Sequence, residues 1–394
     1  MSSLIQCYKR NDIAFSKGEG AYLFDSAGKR YVDFGCGISV TNLGHGFEPV
    51  TEAICNQAKT LIHTSNLYKI DIQEEVAKII SDNSFGGNVF FCNSGAEANE
   101  AAIKLARIYG NKKYNGLRYK IITLKNSFHG RTFATLSATG QDKVKDGFRP
   151  VADFFCHIEP GDFEAFVSLS KKNDVVAVIL EMVQGEGGVT PLERGFVKAV
   201  YDYSKDNDIL FIVDEIQTGI GRTGELFAYK HYGVIPDIMT LAKALGNGVP
   251  IGAMVAEKDL SNYLSYGTHG STFGGNFLAC AAAKAVLNEV LKPDFLKSVK
   301  EKGEYLKKRL IEIFENQTKV IGYVRGIGMM LGVKLIDDID VSEFVKKAME
   351  MGLVIVPAAN NTFRVYPPLN VNRDVLDEGL EILENIAIQI GGLG

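Results

Sequence analysis

The sequence predicts an α/β protein that is built on a mainly parallel sheet. Between Val89 and Ala256, short apolar runs alternate with segments of helical periodicity, which is the pattern of βαβ units. Within Gly195–Asp206, apolar residues recur at steps of three and four, so this segment is predicted to be a helix that crosses between two strands. The predicted strands are Val89–Cys92, Ile121–Leu124, Val175–Leu180, Leu210–Val213, Ile238–Leu241 and Ile251–Val255.

The two ends of the chain have a different pattern, and together they predict a second, smaller α+β domain. Near the C-terminus, apolar residues at helical spacing form one face of a long amphipathic helix; they are Leu296, Val299, Leu306, Leu310 and Ile313. Mixed strand and helix signals follow. We therefore predict that residues 1–50 belong to the small domain, 51–290 to the large domain, and 291–394 again to the small domain.

Composition excludes several classes of protein. The formal net charge of -4 comes from 43 Lys and Arg residues against 47 Asp and Glu residues, so no basic surface for nucleic acid or anionic lipid is expected. The six cysteines are far apart, without the spacing of a zinc site or a disulfide framework, and no apolar run approaches the ~20 residues that span a bilayer. The N-terminus has no signal-peptide pattern, so we expect a cytoplasmic protein with reduced thiols.

Lys243 is the first candidate for chemistry. It leaves an apolar strand and enters the glycine-rich turn of Leu241–Pro250, where a lysine is poorly solvated. Desolvation lowers the pKa of an amine, and a neutral amine can attack an aldehyde and hold a Schiff base. The plainer alternative is a surface lysine whose charge reaches the solvent.

A carboxylate follows another buried strand. The apolar run Leu210–Val213 ends in Asp214, and in α/β sheets ligands bind at the carboxyl edge of the strands. A carboxylate facing a pyridine nitrogen would keep it protonated and strengthen the ring as an electron sink. Alternatively, Asp214 is an ordinary turn or helix-capping residue.

A strand, a turn of small residues and an Ala-rich helix occur together at Phe91–Lys104. Free N–H groups at the start of this helix, with the Ser94 hydroxyl, would suit a phosphate dianion. A simple helix cap by Ser94 or Asn93 explains the residues equally well. No lysine follows the glycine as in a nucleotide triphosphatase.

One more turn, Ser127–Thr132, follows the strand Ile121–Leu124. Phe128 could stack on a planar ring there, and the fork of Arg131 suits a carboxylate. Taken alone, a residue like Phe128 is more often a core residue and one like His129 more often a satisfied polar residue, and Arg131 could be a plain surface cation.

Together these segments resemble the class III, ornithine-type subgroup of fold-type I aminotransferases, which depend on pyridoxal phosphate. The resemblance runs nearly end to end, from Gly20–Asp25 to Phe363–Leu369. Asp214–Gly224 and the Lys243 turn are its most specific parts, because their chemical roles are independent. The resemblance implies a fold-type I large domain with a mainly parallel seven-stranded sheet.

The resemblance also implies how pyridoxal 5'-phosphate is held. Lys243 would form the Schiff base, Asp214 would hold the pyridine nitrogen and Gln217 would approach the ring hydroxyl. The remaining cofactor-binding residues would be Ser94, Gly95, Ala96, Phe128 and His129.

A homodimer with its active sites at the subunit interface is a further implication. Thr272 matches the family residue that reaches the phosphate of the neighbouring subunit, and Ser271 would lie by the substrate. Without the resemblance, both would be ordinary loop residues.

Arg131 and Arg364 match the family's pair of arginines for the two carboxylates of 2-oxoglutarate, and Glu186 matches the glutamate that neutralises the second arginine when the amino donor is bound. A structural ion pair of Glu186 and Arg364 is compatible with that role. The expected reaction is ping-pong transfer of a terminal amino group.

N-acetylornithine is the expected donor, because Ile38 stands where ornithine-specific members have a tyrosine. Succinyl-diaminopimelate, 4-aminobutyrate and ornithine are the alternatives. Met182 and Lys69 depart from the family pattern. Two other classes of protein fit less well: a nicotinamide oxidoreductase would need a dinucleotide fingerprint, and a non-catalytic interaction protein would not need Lys243, Asp214 and the phosphate turn together.

Overall fold

The protein has β-strands along most of its length, from Phe15 to Val365. A computed structural model describes residues 3–316 and 320–391. In chain order, the strands are β1 (Phe15–Glu19), β2 (Tyr22–Asp25), β3 (Arg30–Asp33), β4 (Asn88–Cys92), β5 (Lys120–Leu124), β6 (Phe155–Ile158), β7 (Val175–Leu180), β8 (Val183–Gln184), β9 (Thr190–Pro191), β10 (Leu210–Asp214), β11 (Ile238–Leu241), β12 (Gly252–Ala256), β13 (Ile321–Ile327), β14 (Met330–Leu335), β15 (Leu353–Val354), β16 (Val356–Ala358) and β17 (Thr362–Val365).

Helices separate most of these strands. They are α1 (Cys36–Ser39), α2 (Glu48–Thr60), α3 (Asp71–Asp82), α4 (Gly95–Tyr114), α5 (Phe133–Ala138), α6 (Phe163–Ser170), α7 (Arg194–Asp206), α8 (Lys258–Ser261), α9 (Phe277–Val290), α10 (Phe295–Ile311), α11 (Val341–Glu350) and α12 (Arg373–Gly391). Short 3₁₀ turns cover Asp142–Val144, Ala228–Tyr232 and Lys243–Gly246, and a π-helical turn covers Glu312–Asn316.

Seven strands form the central sheet, in the order β4-β12-β11-β10-β7-β5-β6. The pairs from β11 to β6 are parallel, whereas β12 runs antiparallel to both β11 and β4. The prediction of a mainly parallel sheet is confirmed, and each predicted strand is present within one residue of its predicted bounds. The edge strand β6 has no predicted counterpart, because Cys156 and His157 interrupt its apolar pattern.

Both faces of this sheet are buried. In β7, Val178 and Leu180 belong to a core on one face, while Ala177 and Ile179 belong to a core on the other. This burial on two sides explains why the strand is a continuous apolar run rather than an alternating one. The helix predicted over residues 195–206 is α7, and its buried face packs on the first of these cores.

The two ends of the chain meet in a separate core. Phe34 and Val32 near the N-terminus pack with buried residues of α10, β14, α11 and α12. Two four-stranded sheets accompany it, in the orders β1-β2-β3-β15 and β13-β14-β17-β16. The division of the chain at residues 50 and 290 stays a prediction, which the existence of this second core supports.

Arg222 joins the two ends of the chain to the large sheet. Its guanidinium is fully buried and donates hydrogen bonds to Ser39 Oγ, Asn42 Oδ1, Met329 O and Pro367 O. The turn α1 lies under this contact and is left-handed, with φ between 46° and 66° from Cys36 to Ser39. Three residues of the turn carry a side chain, so its backbone is strained and needs such external contacts.

Within residues 3–316 and 320–391, the chain has no helix that is both long and apolar enough to cross a membrane. The six cysteines are free thiols. The cytoplasmic location stays a prediction.

His157 on the edge strand gives the fold a testable dependence on pH. Burial, followed by the charge of Lys145, lowers the pKa of His157 to about 4, and Lys145 Nζ lies 3.2 Å from its Nε2. In the unfolded chain the pKa of a histidine is about 6.5. The unfolded state therefore binds the extra proton first, so stability is intact above about pH 6.5 and falls as the pH drops toward 4.

We expect His157→Gln to remove part of the acid sensitivity. Between pH 7.5 and 4.5, the free energy of unfolding in urea should fall by about 2 kcal/mol less in this variant than in the parent protein. His63→Gln, at an exposed histidine, is the matched control. Equal acid losses in the parent and in His157→Gln would refute this account of the histidine.

Candidate active site

A cavity of about 410 Å³ lies at the carboxyl ends of the central strands, where open α/β sheets bind ligands. It brings together residues that are far apart in the sequence. Its lining includes Ser94, Phe128, Asp214, Gln217, Lys243 and Glu186.

Asp214 is the last residue of β10 and is 4% exposed. Its Oδ1 accepts a hydrogen bond from Ile216 N at 3.1 Å. Its Oδ2 accepts one from Asn99 Nδ2 and one from His129 Nδ1, both at 2.8 Å. Its own turn, the helix α4 and the turn after β5 therefore hold this carboxylate in one orientation at the edge of the cavity.

His129 lies behind the carboxylate. Burial lowers the pKa of His129, but the hydrogen bond to Asp214 and its charge outweigh this effect, and the net shift is upward. Its other ring nitrogen, Nε2, is buried without a hydrogen-bond partner among the described residues. Asn99 also donates to His129 O and accepts from Thr240 Oγ1, each at 2.8 Å, so α4, the turn after β5 and β11 are connected.

Lys243 lies directly beyond β11, in a 3₁₀ turn, and faces the same cavity. Its φ of 48° lies in the left-handed region, which is unusual for a residue with a side chain and is typical of functional sites. Desolvation lowers the pKa of the Lys243 amine; Glu186 opposes this shift and Arg364 adds to it. The structure thus gives this lysine the poor solvation that the sequence predicts.

The N-terminus of α4 forms another wall. Ser94 caps the helix by accepting from Glu97 N at 3.2 Å, so the capping interpretation is correct, and its hydroxyl hydrogen is still free to donate elsewhere. The first amides, of Gly95 and Ala96, have no acceptor within the helix and line the cavity. A Cβ at Gly95 would lie 2.9 Å from Ile216, so the turn has no room for a larger residue.

Phe128 offers an aromatic ring to the cavity, and a residue that the sequence analysis missed holds it in place. Glu181 accepts from Phe128 N at 2.7 Å and from Gly185 N at 3.2 Å. Burial raises the pKa of Glu181 to about 7. The signal was available, because Glu181 follows a buried strand just as Asp214 does.

Of the two predicted arginines, Arg131 lines the cavity, and Arg364 is connected to it through Glu186. Arg364 is 2% exposed, and its Nη1 lies 2.5 Å from Glu186 Oε1. Arg131 is exposed and lies 5.6 Å from the centre of the Phe128 ring. Burial raises the pKa of Glu186, but the charge of Arg364 and its hydrogen bond, with help from Lys243 and Gln217, outweigh burial and hold that pKa low.

Ser271 and Thr272 lie outside the lining of this cavity as the described residues form it. Ser271 Oγ is linked to it, because it accepts from Asn93 Nδ2 at 3.2 Å. Thr272 is exposed and faces a surface pocket together with Leu67 and Tyr266. Within one chain, therefore, Thr272 is not placed to contact a ligand in the cavity.

Neither of the two residues that depart from the family pattern, Met182 and Lys69, lines the cavity. Met182 is fully buried, while Lys69 is exposed.

Two further residues near the cavity, Asn99 and Tyr366, were not indicated by the sequence. Asn99 lies in an Ala-rich helix, and Tyr366 lies in the family-like segment Phe363–Leu369. Neither spacing nor composition indicates that these two side chains reach Asp214 and Gln217.

Comparison with known sequences identifies the family. Residues 6–387 match the family Aminotransferase class-III. The chain belongs to the class III aminotransferases. It is 52% identical to the acetylornithine aminotransferase of Caldanaerobacter subterraneus, over 98% of each chain, and 47% identical to that of Bacillus subtilis, over 98% of this chain and 97% of the relative.

Solved structures of class III aminotransferases have the same fold. The ornithine aminotransferase of Toxoplasma gondii, described with partial occupancy of pyridoxal phosphate at its active site, superposes with a TM-score of 0.93 at 32% identity, over 98% of this chain and 92% of that one. The N-acetylornithine aminotransferase of Stenotrophomonas maltophilia gives 0.85 at 34% identity, over 97% of both chains. The fold is therefore fold-type I.

Pyridoxal 5'-phosphate is the cofactor of this class III aminotransferase, and the cavity fits it. A phosphate needs hydrogen-bond donors, which the amides of Gly95 and Ala96 provide. A protonated pyridine nitrogen needs a carboxylate to accept its hydrogen bond, for which Asp214 is suited, and an aldehyde needs an amine, for which Lys243 is suited. These groups line one cavity of a size that suits a small cofactor and a substrate.

Proposed function

We propose that the chain transfers the terminal amino group of N-acetylornithine to 2-oxoglutarate, giving N-acetylglutamate semialdehyde and glutamate, a reaction of arginine biosynthesis. The observation that carries this proposal is the placement of Lys243 and Asp214 in one cavity of a class III aminotransferase. The names of the full-length relatives supply the donor. Transfer proceeds by a ping-pong sequence in two half-reactions.

When bound, pyridoxal phosphate supplies an electrophilic carbonyl carbon and a ring that accepts electrons. Lys243 would hold the cofactor through its amine until the amine of the donor takes its place. Its Nζ then takes the proton from the carbon that bears this amine and delivers it within the cavity. The lowered pKa of Lys243 suits this role, since the neutral amine is the form that accepts a proton.

Other residues hold the cofactor in place. Asp214 would accept a hydrogen bond from the protonated pyridine nitrogen and keep it protonated, and its bonds to Asn99 and His129 hold the carboxylate in one orientation. Phe128 would stack on one face of the ring, and the amides at the start of α4 would bind the phosphate together with Ser94.

The arginines recognise the second substrate. 2-Oxoglutarate has two carboxylates, and Arg131 and Arg364 can each bind one of them in a bidentate manner. N-acetylornithine presents no carboxylate near its reacting amine, so Glu186 stays on Arg364 and neutralises it. Because Arg364 is almost fully buried, leaving it unpaired would be costly.

The α-substituent of the donor is expected to lie near the turn α1. Ile38 is half-buried in this turn, and Val40 lines the cavity beside it. An aliphatic side chain at position 38 has no acceptor or negative charge to bind a free α-ammonium group, whereas it can lie against the uncharged acetamide of N-acetylornithine.

We expect kcat/KM to be at least about tenfold higher for N-acetylornithine than for ornithine, since an unpaired ammonium near Ile38 costs on the order of 1–2 kcal/mol. Steady-state kinetics with both amines, 4-aminobutyrate and succinyl-diaminopimelate measure the ranking. A higher value for any of the other three would overturn the choice of donor but not the assignment as an aminotransferase.

Lys243→Ala should abolish turnover and leave the fold intact, because the variant loses both the anchor of the cofactor and the proton carrier. After borohydride treatment, mass spectrometry should find a pyridoxyl group on Lys243 of the parent protein and none on the variant. Lys258→Ala, at an exposed lysine beyond β12, is the control. Near-parental turnover in Lys243→Ala would refute its role.

A homodimer with shared active sites completes this proposal. Large apolar side chains near Thr272 are exposed on the single chain; they are Leu67, Tyr68, Tyr266 and Phe273. An apolar face of this kind favours association with another subunit. In the dimer, Thr272 of one chain would contribute to the phosphate site of the other.

Mixing two differently impaired subunits tests this arrangement. Thr272→Ala should weaken the binding of pyridoxal phosphate, and Lys243→Ala should be inactive. When the two variants are unfolded together and refolded, a heterodimer has one site with an intact Lys243 and the partner's intact Thr272. Recovery of tight cofactor binding and activity is expected. Mixtures that behave as the sum of the separate variants would contradict a shared site.

A further inference from the structure

Tyr366 is a buried tyrosine that touches the active site through one neighbour. Its side chain is 1% exposed, and its hydroxyl donates to Gln217 Oε1 at 3.0 Å. Its backbone N–H donates to Phe34 O at 2.7 Å, which fixes the residue beyond β17. The guanidinium groups of Arg222 and Arg364 lie 5.7 and 6.0 Å from the centre of its ring.

Two neighbours, Tyr366 and Glu186, fix the orientation of the Gln217 side-chain amide. Glu186 lies beside this amide, and a carboxylate only accepts hydrogen bonds. The N–H groups of Gln217 must therefore face Glu186, which leaves Oε1 for the hydroxyl of Tyr366. Gly185 closes a third side, since a Cβ there would lie 1.9 Å from Gln217 Oε1. The amide thus has little room to rotate.

We propose that Tyr366 is a positioning residue that keeps the Gln217 amide directed into the cavity while Glu186 moves. The inference rests on the proposed function, in which Glu186 leaves Arg364 when 2-oxoglutarate binds. While Glu186 is on Arg364, the amide of Gln217 has Tyr366 on one end and Glu186 on the other. Once Glu186 has moved away, Gln217 keeps its hydrogen bond from Tyr366 but has lost the one to Glu186.

Tyr366→Phe tests the role, because it deletes one hydroxyl and keeps the ring. We expect the dissociation constant of pyridoxal phosphate, measured by titrating the apoenzyme, to rise roughly three- to tenfold, the effect of losing one hydrogen bond. In single-turnover experiments, the half-reaction with 2-oxoglutarate should slow more than the half-reaction with N-acetylornithine. Equal slowing of both half-reactions would contradict the proposed dependence on Glu186.

A double-mutant cycle separates positioning from a general loss of stability. If Tyr366 acts through Gln217, then Tyr366→Phe should have no further effect on cofactor affinity in a Gln217→Ala background. The matched control is Tyr232→Phe, which deletes a buried hydroxyl that donates to Met182 O and Leu192 O. It should leave cofactor affinity unchanged.

Two further results would overturn the inference. One is parental cofactor affinity in Tyr366→Phe, and the other is an undiminished effect of Tyr366→Phe in the Gln217→Ala background. Failure of the proposed function looks different, because the parent protein itself would then not bind pyridoxal phosphate through Lys243 or not transaminate.

Discussion

The buried carboxylate of Asp214 is the constraint on which the arrangement of the active site depends. A carboxylate at the end of a buried strand is costly unless donors surround it. Here the donors come from Ile216, from Asn99 on α4 and from His129 in the turn after β5. Satisfying one side chain therefore brings three segments together. The start of α4 and the Phe128 turn reach the cavity as a consequence.

The central sheet makes this convergence possible. Because β5, β7, β10 and β11 run parallel, their carboxyl ends meet at one edge, and each delivers a polar residue there. Glu181, Asp214 and Lys243 follow three of these strands within two residues. Beside the second core, which both chain ends form, β17 supplies Arg364 as the partner of Glu186, and Val40, next to the turn α1, lines the cavity.

Charge balance across the cavity follows from burial. Glu186 is paired with the buried Arg364, and its charge also acts on the amine of Lys243. The Glu186 carboxylate stabilises the positive charge of the buried Arg364 and opposes the lowering of the Lys243 pKa. Movement of Glu186 would therefore change the environment of Arg364 and Lys243 at once, and the proposed use of one pocket for two substrates of different charge depends on this movement.

Much of the fold could be predicted from the sequence, because burial on two faces leaves a clear apolar run, as in Val175–Leu180. The strand β6 could not, since its four residues are interrupted by the half-buried Cys156 and His157 and form no such run. Lys243 and Asp214 were found because each is a polar residue directly beyond an apolar strand. Glu181 carries the same signal and was overlooked.

Residues that act through other residues were beyond the reach of the sequence. Asn99 and Tyr366 are separated from their partners Asp214 and Gln217 by more than a hundred positions, and only packing brings each pair together. The positive φ of Lys243 is likewise invisible in the sequence, because it is imposed by the turn rather than favoured by the residue.

The most direct test of the central claim is a crystal structure of the protein with pyridoxal phosphate. The account predicts one pyridine ring in the cavity, with its nitrogen within hydrogen-bonding distance of the Asp214 carboxylate and its 4' carbon bonded to Lys243 Nζ. A cofactor bound with its nitrogen away from Asp214, or attached to a different lysine, would contradict it.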